Sequence, residues 1–294
     1  MVASVGAVTY SIAAWDPVGN ELGVAVQSCA FNTGAACAWA LPGVGAVATQ
    51  SFTERGYGPR GLTLMREGIS PRDALDALVD EDELRDVRQG AFVDRDGRAA
   101  AHTGAACIPH RGDRQAEGVS VQGNMLRSDD VWPAMLEVFD AATGSLADRL
   151  LDALDAAESA GGDFRGRQAA GLVVVTADEA PSHERVFDLR VDDHPEPLLE
   201  LRRLHRMAAG YRRRNRIEAG ADAEEELAAA RAAGLPEADV TAAAVFAHGR
   251  NGDVERAAAL VAEIAEAEPL WLPAFERYEA LGLLPEGVVA RARR

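Results

Sequence analysis

The order in which strand-like and helix-like runs follow one another limits this chain's fold more than any single motif. Between residues 7 and 26 two apolar-rich runs, AVTYSIAAW and ELGVAVQS, flank Asp16-Pro-Val-Gly-Asn20, whose turn-forming residues predict a β-hairpin. ACAWAL and GVGAVATQS, parted at Pro42-Gly43, predict a second strand pair. The Gly-rich stretch Gly56-Tyr-Gly-Pro-Arg-Gly61 then leads into LTLMREG, which has helical spacing. Ser70-Pro71 opens another helix: Ser caps it, Pro fits its first turn, and Ala74, Leu75, Ala77 and Leu78 form the buried stripe. The order then repeats in kind. QGAFVDRDGRAAAHT reads as a hairpin across Asp94–Gly97, EGVSVQGNML as a strand, and helices are expected over about 129–142 and 145–159. GLVVVTA at 171–177 suits a strand buried on both faces, and ERVFDLRVD at 184–192 alternates. Strand runs, paired helices and more strands predict a layered α+β fold, its mostly antiparallel sheets covered by helices on their outer faces.

After His194-Pro195 the pattern changes. Residues 196–294 show only helical spacing, broken at Gly234-Leu-Pro236, Gly249–Gly252 and Pro269, so two domains are expected, 1–195 and an all-helical 196–294. Within the second, AAAVFAHGRNGDVERAAALVAEIAEAEP has the form of one tetratricopeptide-like hairpin, an interaction module.

Charge narrows the partners. Thirty basic against forty-seven acidic side chains give a net charge of −17, which repels nucleic acids and anionic bilayers, and neither is expected as a partner. Every basic residue is Arg. A lysine-free chain has no Schiff-base lysine, no phosphate-loop lysine and no Ser-Lys dyad. The first residues lack the positive region of a signal peptide, and no apolar run approaches the roughly 20 residues of a membrane span. Cys29, Cys37 and Cys107 form no CxxC pair and suit reduced thiols of a cytoplasmic protein. A homo-oligomer is expected on general grounds. GxSxG is missing from the sequence, which removes a hydrolase-elbow reading; Gly43-Val-Gly45 lacks the third glycine of a dinucleotide loop and precedes a strand instead of a helix, and no cofactor is expected.

Seven blocks, TYSIAA, ELGVAVQS, GVGAVATQSF, YGPRGL, AAHTGAAC, SVQGNML and GDFRGRQAA, run in order across residues 9–170. Together they resemble the bacterial domain-of-unknown-function 1028 family, a group assigned to the Ntn-hydrolase-like fold. The resemblance implies a four-layer αββα sandwich and an amidohydrolase whose substrate the family name leaves open. The ending LWLPAFERYEALGLLPEG resembles the extra C-terminal domain of some members, labelled a peptidoglycan-binding module.

The Ntn mechanism that the resemblance implies uses a Thr, Ser or Cys freed as the first residue of the cut chain. Its own α-amine, with a pKa of about 8, takes the nucleophile's proton. Thr9 is the matching position, and because residues precede it this route requires cleavage between Val8 and Thr9. VAVQSCAF resembles the second-strand motif of proteasome-type Ntn enzymes, but Gln27 stands where those have Asp, and their Lys has no counterpart here. A proteasome-like charge relay is therefore excluded, leaving neutral donors or Arg60, Arg165 or Arg167 to support an alkoxide on Thr9.

Gln122, Gly123 and Asn124 end a strand with the donors of an oxyanion hole, or form a plain strand-end turn. Arg165 and Arg167, with Gln168, suit a fork for a substrate carboxylate, or ion pairs between layers. Gln27 and Ser28, with Thr49, Gln50 and Ser51, are expected to line the same cleft, joined by His102 as a hydrogen-bonding residue. His102, Cys107 and His110 are zinc-type ligands, yet H-x4-C-x2-H matches no standard zinc box and no metal is expected. The leading expectation is an amidase for a small, carboxylate-bearing amide or peptide-like substrate, with Thr9, Gln122 and Asn124 catalytic. A non-catalytic ligand-binding or assembly scaffold is the second, and hydrolysis at Ser28, Thr49 or Ser51 with His102 as base is the third.

Overall fold

The computed structural model describes residues 9–218 and 223–294. The chain divides into two compact units, one ending at Arg202 and one beginning at Arg203. In chain order the first unit holds β1 (Thr9–Asp16), β2 (Glu21–Ser28), α1 (Thr33–Cys37), β3 (Ala38–Leu41), β4 (Gly45–Ser51), α2 (Tyr57–Arg66) and α3 (Pro71–Glu81). There follow β5 (Arg88–Asp94), β6 (Ala99–Thr103), β7 (Gly112–Ala116), β8 (Val119–Asn124), α4 (Val131–Ala141), α5 (Leu146–Ser159), β9 (Ala169–Thr176) and β10 (Phe187–Val191).

All strand pairs are antiparallel and form two sheets, ordered β10-β9-β2-β1-β8-β7 and β3-β4-β5-β6. The fold is thus mixed α and β with antiparallel sheets, as the run order predicts. Strand alternation sorts each side chain to one of two faces. On β1, Tyr10 and Ile12 face the helices, while Ser11 and Ala13 face the other sheet. α4 and α5 pack on the larger sheet, α2 and α3 on the smaller. Ser70 accepts from the Asp73 N–H with Pro71 in the first turn of α3, so the cap read from sequence is made, and Ser145 caps α5 in the same way through the Asp148 N–H.

The Gly-rich stretch expected to lead into a helix is itself the start of α2. A Cβ on Gly58 would lie 2.4 Å from the Trp39 ring and one on Gly61 2.3 Å from Phe92. These glycines let α2 lie directly on the sheet, above a core of Val47, Leu62, Met65, Leu75, Leu78 and Phe92. Between the sheets the filling is small and apolar toward one end, with Ala13, Ala40, Ala46, Ala48, Val24 and Val93.

α6 (Pro197–Glu218) crosses the division between units. Its Arg202 bonds Asp152 and Asp155 of α5, so the first turns of α6 go with the first unit. The second unit continues through α7 (Ala223–Ala232), α8 (Glu237–Arg250), α9 (Val254–Ala267), α10 (Trp271–Ala280) and α11 (Val288–Ala292). α8 and α9 pack against each other, with the Asp253 side chain capping α9 through the Arg256 N–H. Val240, Val245, Val261, Ile264, Phe275 and Val288 centre this unit's core. Among the described residues no helix is long and apolar enough to cross a membrane.

Candidate functional site

At the end of the first unit where β1 begins, the apolar filling between the sheets gives way to hydroxyls and amides. Thr9, Ser11, Ser28, Gln50, Gln89, Ser120, Gln122 and Asn124 are all fully buried there. Buried polar groups need partners, and these supply one another.

Main-chain carbonyls set the direction of every bond. Gln89 Nε2 donates to Gly123 O at 2.9 Å and Gly112 O at 3.2 Å, which leaves Gln89 Oε1 as the acceptor. That oxygen receives Gln50 Nε2 at 2.7 Å and Asn124 Nδ2 at 2.9 Å. Gln50 Nε2 also holds Thr9 O at 3.2 Å, and Gln50 Oε1 accepts from Ser11 Oγ at 2.6 Å. Ser11 Oγ in turn accepts from Gln122 Nε2 at 2.5 Å, and Gln122 Oε1 accepts from Ser120 Oγ at 2.9 Å. One group is left over: Asn124 Oδ1 is buried and has no hydrogen-bond donor among the described residues.

Thr9 opens β1 between Ser28 on β2 and Asn124 on β8, its register partners. Its Oγ1 donates to Ser28 Oγ at 3.3 Å. Val8 and the bond before Thr9 lie outside the described residues, so the expected cleavage point does too. The structure therefore brings together Thr9, Ser28, Gln50, Gln122 and Asn124.

Two of these amides each spend one N–H within the network: Gln122 Nε2 on Ser11, with Gln122 Oε1 accepting from Ser120, and Asn124 Nδ2 on Gln89. Asn124 also presents an acceptor, its Oδ1.

Other expected cleft residues lie elsewhere. Gln27 is the register partner of Tyr10 and shares its helix-facing side, opposite to Ser28; its buried amide has no partner among the described residues. Thr49 turns outward to Glu54 O at 3.1 Å, and Ser51 is buried at the strand end with a left-handed φ of 69°. Arg60 is on α2, outside the smaller sheet, paired with Glu81. His102 faces the same outer side, its Nε2 donating to Arg85 O at 2.9 Å. Gly90 separates it from Thr49 in register, a distance of about 10 Å at two strand spacings, so His102 cannot act as base for that hydroxyl.

The loop before β9 does pass the site's end of the sheet. The Gln168 N–H donates to Ser28 O and Asp163 accepts from the Cys29 N–H. Its basic groups meet this chain's own acids: Arg165 pairs with Asp163, and Arg167 with Glu158 and Glu196, while Gln168 Nε2 bonds Asp193. Both arginines are thus ion-paired within this chain, Arg167 with the end of α5 and with Glu196, and Arg165 with Asp163 of its own loop.

The zinc-type residues do not converge. Cys107 Sγ donates to Arg88 O and His110 pairs with Asp129. Burial pushes the Cys37 thiol up to about 12 and raises that of Cys107. On the outer face of β1, burial and then Glu158, which accepts the Tyr10 hydroxyl at 2.7 Å, hold that phenol well above its ordinary range.

Ser11, Gln89 and Ser120 were absent from the sequence-derived site. The signal for Ser11 and Ser120 was there in the alternation: a polar residue at every second position toward the strand end, in Thr9-Tyr-Ser11 and Ser120-Val-Gln122-Gly-Asn124.

The family model described as "Family of unknown function (DUF1028)" matches residues 9–201, from the first residue of β1 nearly to the end of the first unit. The crystal structure of protein SPO2555 from Silicibacter pomeroyi, described under the same family model, matches with a TM-score of 0.63 and 32% identity. That match covers 68% of this chain and 89% of the Silicibacter chain. No curated protein matches. With the family model spanning almost the whole first unit and a related structure at this identity, the chain belongs to the family of unknown function DUF1028.

Proposed function

We propose that this protein is an Ntn-type amidohydrolase on a four-layer αββα sandwich, with Thr9 as nucleophile, cleaving a small carboxylate-bearing amide or peptide-like substrate. One observation carries the reading: Asn124 Oδ1, register partner to Thr9, is a buried acceptor without a donor, in a network whose directions are set by main-chain carbonyls. A free α-amino group on Thr9, released by cleavage after Val8, is a donor of the right kind beside it. Held there, the neutral amine takes the proton of Thr9 Oγ1 as that oxygen attacks the substrate carbonyl carbon. The same proton then goes to the leaving amine, and water releases the acyl group by the reverse path. Gln50, by holding Thr9 O, is a positioning residue. Two facing sheets with α2 and α3 on one and α4 and α5 on the other fit the sandwich that this reading needs.

The test is the intact mass of the purified full-length chain beside Thr9→Ala. Loss of residues 1–8 from the first and not the second is expected. An uncut chain that hydrolyses amides would remove Thr9 from the role.

The second reading, a non-catalytic ligand-binding or assembly scaffold, is favoured by the arginines. Arg60, Arg165 and Arg167 each engage a carboxylate of this chain. An uncut chain without amidase activity is its expected outcome.

A further inference from the structure

At the end of the first unit opposite to Thr9, the β3–β4 turn, the last turn of α2, the β5–β6 turn and the loop after β9 enclose a cavity of about 570 Å³. Val44 on its wall is six residues from Gln50, about 20 Å of strand, so the cavity stands apart from the polar network. Its volume is in the range of small-ligand clefts, roughly 300–1,000 Å³. Leu41, Val44 and Met65 give it an apolar wall, and elsewhere Arg66, Arg95 and Arg98 meet Asp94, Asp96 and Glu179.

Two of these charges serve the β5–β6 turn itself. Asp94, 4% exposed, accepts the Asp96 N–H at 3.1 Å, the Arg98 N–H at 2.9 Å and Arg98 Nε at 2.7 Å, while Arg98 Nη2 donates to Asp96 Oδ2 at 3.1 Å. Asp94 and Arg98 thereby hold the turn's shape, and Asp96 keeps its second oxygen. The remaining charges are less engaged. Arg66 ends α2 and makes no hydrogen bond or ion pair among the described residues. Arg95 gives one N–H to Gly43 O at 3.2 Å and meets Glu179 at 3.8 Å, too far for a hydrogen bond. A guanidinium has five N–H donors, so both arginines keep most of theirs. Glu179 has an exposed side chain on a fixed backbone: Gly43, at a φ of 69°, donates its N–H to Thr176 O, and a Cβ on it would lie 2.9 Å from Glu179 Cα. Opposite charges thus stand side by side at the cavity with hydrogen-bonding capacity left over. A ligand complementary to them carries both charges close together, as the carboxylate and ammonium on one carbon of an α-amino acid do.

We propose that this cavity binds the zwitterion of a free α-amino acid with an apolar side chain. The carboxylate meets Arg66 and Arg95, the ammonium meets Glu179 and Asp96, and the side chain lies against Leu41, Val44 and Met65. No part of this rests on Thr9 or on amide hydrolysis.

The test is calorimetric titration of the full chain with L-leucine and with three analogues. N-acetyl-L-leucine and L-leucinamide each lack one of the two charges, and Leu-Ala carries them further apart. Leucine binds, and each analogue binds at least about tenfold more weakly. Arg66→Ala and Glu179→Ala, both at exposed positions, leave the melting temperature unchanged and weaken leucine at least about tenfold, while Thr9→Ala binds it as the parent does. No binding of leucine up to roughly 10 mM, an analogue bound as tightly, full affinity in Arg66→Ala or Glu179→Ala, or loss of binding in Thr9→Ala overturns the site.

Discussion

Replacing Gln89 with Leu removes the residue on which the buried network converges while keeping most of its volume. Gln50 retains its bond to Thr9 O, but Asn124 Nδ2 loses its acceptor and Gly123 O its side-chain donor. Each orphaned buried group costs about 1–3 kcal/mol, so the change should destabilise the first unit by about 2–6 kcal/mol. That is a large share of a typical domain's roughly 5–15 kcal/mol. The assay is urea unfolding by tryptophan fluorescence in a Trp271→Phe background, where Trp15, Trp39 and Trp132 all report the first unit. At a slope of about 2 kcal/mol/M the midpoint falls by about 1–3 M. Gln89→Glu should be destabilising as well despite its matching shape, since a carboxylate cannot donate to Gly123 O. A Gln89→Leu midpoint equal to the parent's, or a Gln89→Glu protein as stable as the parent, would refute the account of the network as a directed, closed set of bonds.

Three further outcomes are expected. Burial alone would raise the Asp82 carboxyl, but the hydrogen bond and charge of Arg88 and the Leu84 N–H outweigh it and hold it below its ordinary value. A depressed folded value contributes stability that is complete above the unfolded pKa of about 4 and lost as pH falls through the folded one. The stability difference between parent and Asp82→Asn should therefore shrink as denaturation is repeated from about pH 5 to about pH 2; a constant difference would contradict this. Gly61→Ala forces a methyl into the Phe92 ring and should cost about 1–3 kcal/mol by the same urea assay, whereas an exposed loop glycine would tolerate it. Iodoacetamide at about pH 8 should alkylate half-buried Cys29 well ahead of Cys37 and Cys107, whose thiols burial raises; mass mapping that finds Cys37 modified as fast would count against the core placement.

Much of the fold was legible because its signals are local. Ser70-Pro71 and Ser145 cap helices within one turn, and the Asp16–Asn20 turn sits between two apolar runs that pair along their full length. β7 escaped notice because GDRQA is an exposed edge strand with no apolar alternation to reveal it. The Gly-rich stretch at 56–61 misled for a physical reason: glycine serves loop geometry and close helix packing equally, and only the positions of Trp39 and Phe92 distinguish the two. Site residues divided in the same way. Thr9, Ser28, Gln122 and Asn124 share the inter-sheet face, but Gln27, one residue from Ser28, is turned to the opposite side by strand alternation. Arg60 and Arg167 could not be assigned from sequence, since their carboxylate partners Glu81 and Glu158 come from other elements.

The claim that Thr9 carries the nucleophile is tested most directly by covalent trapping. The purified protein is treated with an acylating β-lactone and the adduct is located by peptide mass spectrometry. The account predicts one ester, on Thr9 Oγ1, missing from Thr9→Ala. An adduct on Ser28 or a cysteine with Thr9 untouched, or no adduct on a chain that begins at Thr9, would contradict it.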